Sequence, residues 1–173
     1  MIIRKINQNE ISLETSKSKA LIELKSNTIS IKIESASTLV KLSMPGEYEY
    51  GDISATCLEL SLGHYTGIIN FLKLDIEGMR IGIIISETPS DKEAFKNLDN
   101  LDILIIKNNF NNEIIKKFIN YFDVLNLIIV NGEDLDVIKH SLGLANVTQE
   151  KTLKIKLADL KREETSVISG YLL

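Results

Sequence analysis

One cysteine, Cys57, occurs in the 173 residues. A lone thiol cannot close an internal disulfide, and it leaves no thiolate cluster for a soft metal. Long apolar runs are missing as well: none approaches the ~18 residues that span a bilayer. The start, Met1-Ile2-Ile3-Arg4-Lys5, leads into polar residues and not into an apolar signal core. A cytoplasmic protein with no membrane association is the expectation. Positive charge is in deficit, with 20 Lys and Arg against 24 Asp and Glu, a net charge of −4, and bases scattered among acids. Neutralising nucleic-acid phosphates takes a clustered cationic surface, so nucleic acid is not an expected partner. Repeats, low-complexity tracts and linkers that would divide the chain are also lacking.

What is present fits one globular domain over residues 1–173, because 44% hydrophobic and 25% charged residues supply a substantial core and a solvated surface. The first third reads as short strands at Ile2–Ile6, Ile11–Glu14, Ala20–Leu24, Thr28–Ile33 and Thr38–Leu42. In Ile29-Ser30-Ile31-Lys32-Ile33 the apolar residues occupy every second position, so one face is buried and the other solvated. Asn, Ser, Lys and Gly clusters between the runs supply turns. An antiparallel meander is predicted.

Further strands are predicted near Ile53–Leu60, Ile68–Leu74 and Met79–Ile85, the last two joined by a Glu77-Gly78 turn. Met79–Ile85 is almost entirely aliphatic, as an inner strand buried on both faces would be. Ser90-Asp91-Lys92-Glu93 has capping-box spacing and predicts a short helix. Beyond it the pattern alternates strand and helix. Ile103–Ile106 and Leu127–Val130 are aliphatic strands, and Ile114, Ile115, Phe118, Ile119 and Phe122 between them recur at helical spacing. A second helix from about Glu133 carries Leu135, Ile138 and Leu142 on one side and stops near Gly143. Leu153–Leu157 and Thr165–Leu172 read as a closing strand pair. The fold class is α/β, an α+β sandwich of antiparallel and mixed sheets flanked by helices.

Pro45-Gly46-Glu47-Tyr48-Glu49-Tyr50-Gly51-Asp52 is the most distinctive segment. Together with Glu77-Gly78-Met79-Arg80-Ile81, Leu101-Asp102-Ile103-Leu104-Ile105, Leu153-Lys154-Ile155-Lys156 and Asp159-Leu160, it resembles bacterial metallo-β-lactamase-fold hydrolases of the ascorbate-6-phosphate lactonase-like group. The resemblance runs from about Pro45 to the C-terminal end and is weaker over Ile2–Leu24. It implies a shortened metallo-β-lactamase-like domain.

Hydrolases of this group hold two zinc ions with a His-x-His-x-Asp-His loop, since acidifying a bound water takes several imidazole and carboxylate ligands at about 2 Å. This chain has only His64 and His140. Ile29–Ser35 occupies the stretch where the loop would stand. The family's bridging aspartate falls at Ile84-Ile85-Ser86, and its late histidine at Asn131-Gly132. The resemblance therefore carries the fold and neither the metals nor the hydrolytic mechanism, and no metal or other cofactor is expected.

Residue by residue, function competes with simpler roles. Pro45–Asp52 reads as a strand-turn element. His64, in Gly63-His64-Tyr65-Thr66-Gly67, is the one weak catalytic candidate, in a loop position but without a patterned carboxylate or nucleophile. His140 falls on the outer side of the second helix near its C-terminus, where positive charge is favourable. Cys57 is a packing residue. Glu133, Asp134 and Asp136 suit a helix start, and Asn108–Asn112 is a polar turn beside Lys107. The leading expectation is a catalytically inactive domain with a binding, assembly or scaffolding role, as a homo-oligomer or with a protein partner. The alternative is a metal-independent small-molecule hydrolase or lactonase that uses the remnant cleft through His64.

Overall fold

Period-two patterning shapes the first sheet. In Ile29–Ser35 (β4) the three isoleucines are buried while Lys32 stays exposed, as the alternation demands. The same logic gives β1 (Ile2–Asn7), β2 (Glu10–Glu14), β3 (Ser18–Leu24) and β5 (Thr38–Leu42), paired as an antiparallel meander. The computed structural model describes residues 1–25, 28–35, 38–59, 69–85, 100–107, 111–131, 135–144, 146–160 and 169–173.

At Ser43–Pro45 the chain crosses to a second sheet. Strands β6 (Gly46–Tyr50), β7 (Ile53–Leu58), β8 (Phe71–Ile76) and β9 (Met79–Ile84) continue antiparallel. The β8–β9 turn uses Glu77 and Gly78 at φ 52° and 78°, the left-handed pair that a tight two-residue hairpin requires. Then β10 (Ile103–Lys107) joins β9 in parallel, β11 (Asn126–Val130) joins β10, and β14 (Ser169–Leu172) joins β11. A short strand, β12 (Asn146–Gln149), forms the outer edge, giving the order β12-β14-β11-β10-β9-β8-β7-β6. Leu104 to Ile106 and Leu127 to Val130 are buried without interruption, as crossover parallel strands covered on both faces must be.

Two apolar layers hold these parts together. One lies between the sheets and includes Ile22, Ile31, Ile33, Cys57, Leu74, Ile83, Ile105 and Ile128. The other lies behind the second sheet, under α1 (Asn112–Phe122) and α2 (Leu135–Leu142). Helix α1 turns Ile115, Phe118, Ile119 and Phe122 inward, and the Phe122 ring stacks 6.0 Å from Phe71. Its N-cap is Asn111, whose side-chain oxygen accepts from the Glu113 amide at 2.8 Å. Helix α2 buries Ile138 and Leu142 and ends before Gly143 at φ 68°. Among the described residues no helix is long and apolar enough to cross a membrane.

Two sequence expectations change, and one strand appears that none foresaw. Leu153–Leu157 and Thr165–Leu172 do not pair with each other. β13 (Thr152–Lys154) returns to the first sheet beside β1, residues 157–159 form a 3-10 turn, and β14 belongs to the second sheet. Nothing local in a short strand specifies a partner so distant in the chain, which is why the pairing was illegible. The strand expected near Ile68–Leu74 runs instead from Phe71 to Ile76. Strand β12, in Asn146-Val147-Thr148-Gln149, is too polar to have signalled itself. Helix α2 is described from Leu135, and the helix expected at Ser90–Glu93 lies outside the described residues.

Candidate functional site

Parallel strands direct attention to their carboxyl ends, where open α/β sheets place ligands. Here β9, β10, β11 and β14 all end at one edge of the second sheet. Facing that edge across the sandwich are the β1–β2 turn at Gln8-Asn9 and the end of β3. The Lys107 ammonium, at the end of β10, donates to Asn9 Oδ1 at 2.8 Å and to the Leu24 carbonyl at 3.0 Å. One residue past β11, Asn131 stands at φ 64° and its side-chain amide donates to the Gln8 carbonyl. The Asn131 main-chain N–H donates to the Leu173 carbonyl, which also accepts from Lys5 Nζ at 3.0 Å. Nearby, the Ile29 amide donates to the Ile69 carbonyl at 2.6 Å, joining the sheets again.

Beside this junction lies a cleft of about 660 Å3, lined by Lys5, Ile6, Gln8, Gln149, Lys151 and Leu173 among others. Its size lies within the range of small-ligand sites.

The opposite end of the sandwich carries a different polar cluster. Thr15 Oγ1 donates to Asp52 Oδ2 at 2.7 Å and accepts from the Ser18 and Lys17 amides, tying the β2–β3 turn to the β6–β7 turn. Burial pushes the Asp52 carboxyl up, but Ser18, Thr15 and a main-chain N–H outweigh it and hold the group below its ordinary value, with Lys17 adding a smaller pull. Ser18 Oγ and Asp52 Oδ1 are buried and miss regular hydrogen-bond geometry, yet the hydroxyl dipole still favours the charged carboxylate. At the amino end of β10, Asp102 takes Arg80 through the backbone amide at 2.8 Å and through the guanidinium at 3.2 Å. Both groups lie where they stitch strands and turns together.

A solved structure of similar shape covers the whole chain. A Thermotoga maritima protein, assigned as a Zn-dependent hydrolase of the metallo-β-lactamase superfamily, superposes over 100% of both chains with a TM-score of 0.69 at 11% identity. The chain has the metallo-β-lactamase fold. No family model matches the sequence, and no curated protein matches it. The metallo-β-lactamase fold raises the question of zinc, which binds to lone pairs on imidazole, thiolate or carboxylate. The described strand ends do not fit it. Lys107 and Asn131 turn hydrogens, not lone pairs, toward the facing turn. Among the described residues no group of three or more His, Cys, Asp or Glu could hold a metal ion.

The sequence-predicted residues divide accordingly. His64, Ser86, Glu133, Asp134 and Asn108–Phe110 lie outside the described residues. His140 is exposed in the last turn of α2, as the sequence implied. Cys57 is fully buried in β7, and burial pushes its thiol up to about 12, which leaves it protonated. Pro45–Asp52 resolves into β6 and a turn at Gly51-Asp52, with Asp52 the anchoring residue. Sequence reading placed Lys107 only beside a polar turn and Asn131 only at the position of the family's late histidine, assigned neither a tie between the sheets, and missed Thr15. Only Lys107 left a signal: a cation closing an otherwise aliphatic strand needs a reason to sit there.

Proposed function

We propose that this is a non-hydrolytic metallo-β-lactamase-fold domain that acts by binding and assembly, with a second copy or a protein partner. The observation that carries the reading is β4. Where the resemblance puts the ligand-bearing loop, Ile29–Ser35 is a strand paired on both sides, with β3 and with β5. Every residue of that stretch is committed to the ladder, and its isoleucines to the core. The two histidines of the whole sequence support the same conclusion.

Assembly is supported by the flank where the sheets meet. Edge strands β5 and β6 are consecutive in the chain, and Leu39 and Met44 beside them are 68% and 58% exposed. Unpaired edges with large apolar side chains favour association. The test combines zinc titration calorimetry with light scattering behind a sizing column. No stoichiometric zinc and a mass above one chain are expected, and Leu39→Glu should lower that mass. Tight zinc binding, or a strict monomer that recovers no partner, would overturn the reading.

A second reading is a metal-independent hydrolase or lactonase. It is favoured by the likeness to a protein assigned as a hydrolase and by the cleft of about 660 Å3 at the strand ends. Turnover of a lactone and phosphate-ester panel that disappears in His64→Ala would establish it.

A further inference from the structure

The side-chain contacts at the carboxyl-end edge are made by donors from both sheets. Among the described residues, the side chains that reach from the second sheet toward the first at this edge are donors: Lys107 to Asn9 and Leu24, and Asn131 to Gln8. Every group that receives them is an oxygen of the first sheet. A cation held between two sheets would need oxygens or imidazoles on both sides. Here the second sheet brings its own positive charge on a tether, Lys107, and Lys5 of the first sheet does the same toward the Leu173 carbonyl.

We propose that the β1–β2 turn is a latch over this edge, with the Lys107 ammonium as the built-in cation that closes it. The turn is suited to that part. Asn9 is held in shape from within, its amide donating to Asn7 Oδ1 at 2.9 Å, and its carbonyl accepts from the Leu24 amide at 2.6 Å. Its side-chain oxygen is therefore presented to Lys107 by a turn that its own hydrogen bonds hold in shape. Leu24 contributes a second carbonyl at 3.0 Å, so the ammonium bridges the turn and the end of β3 together. Charge-assisted bonds of this type are about twice as strong as neutral ones, which makes Lys107 the main closure and Asn131 the auxiliary one. The turn is also continuous with the wall of the cleft, to which Lys5, Asn7 and Gln8 contribute. Release of the latch would widen that cleft toward the strand ends.

The latch rests on the reading that no metal centre holds this edge, and the two fail separately. Hydrogen exchange measured by mass spectrometry would follow the segment from Ile6 to Ile11 in the full chain, with the Thr15–Ser18 turn at the far end as internal control. Lys107→Met keeps the side-chain length and removes the donors, and Lys107→Arg restores them. Exchange in the turn should speed about tenfold in Lys107→Met, further in Lys107→Met with Asn131→Ala, and return toward the parent rate in Lys107→Arg. The control turn should move no more than overall stability does. Unchanged turn exchange in the double variant would overturn the latch even where zinc fails to bind. If Lys107→Met does not fold, Asn131→Ala alone still decides: a faster turn supports the latch and an unchanged one overturns it. Stoichiometric zinc in the parent protein would instead overturn the reading beneath it.

Discussion

Asp52 shows how a single side chain ties acidity to folding. Its carboxyl is depressed in the folded protein, so it stabilises the fold above its unfolded value of ~4, and that contribution fades as pH falls through the folded value. Asp52→Asn should therefore be less stable than the parent at pH 7, with the gap in urea midpoints narrowing toward pH 3. A gap that stays constant with pH would place the effect elsewhere. Thr15→Val removes the shortest bond to Asp52 and should cost about 1–2 kcal/mol at neutral pH, read from the same midpoints. Cys57 gives a kinetic counterpart. With its thiol raised to about 12 and fully buried, it should react with a disulfide reagent at pH 8 only as fast as the protein unfolds, and at once in denaturant. In β9, a methyl group added at Gly82 would meet the buried Leu101 side chain in hard contact, so Gly82→Ala should cost about 1–3 kcal/mol. At this scale the sequence was readable wherever a residue type dictates its surroundings, as at Cys57 and His140. It was unreadable for Thr15 and Asp52, which meet only because two turns far apart in the chain are brought together.

Helix α1 is the element whose sequence speaks most plainly. Ile115, Phe118, Ile119 and Phe122 fall on one face and are buried there. Phe122 is also packed against Phe71 of β8 and stacks with Phe118, so Phe122→Ala should cost about 3–5 kcal/mol in calorimetric or urea unfolding. Asn111→Ala, which removes the cap oxygen, should cost about 1 kcal/mol by the same measurement. Strands with strict alternation or an unbroken aliphatic run were equally legible, as β4 and β10 show. Short strands were not, because β13 has one buried residue, Leu153, and β12 has none. Their places are fixed by partners at great distance in the chain, information that no local window contains. The donors at the ends of β10 and β11 stayed hidden for the same reason: Lys107 and Asn131 acquire meaning only opposite the β1–β2 turn.

Across the molecule, two sheets share one core and the helices of the described residues cover only the second sheet. The sheets are stitched at both ends, by Lys107 and Asn131 at one and by Thr15 and Asp52 at the other. The placement of β13 has a consequence for how the protein is made. Among the described residues the first sheet consists of five consecutive strands plus β13, Thr152–Lys154, which follows the second sheet's β6 to β12 in the chain and pairs with the first strand. As the nascent chain leaves the ribosome, β1 emerges early and waits with one side of its backbone unmatched until Thr152–Lys154 is synthesised. Such an edge is a template for pairing between nascent chains, so crowded polysomes and slow translation of the second half should both raise the fraction lost to aggregates.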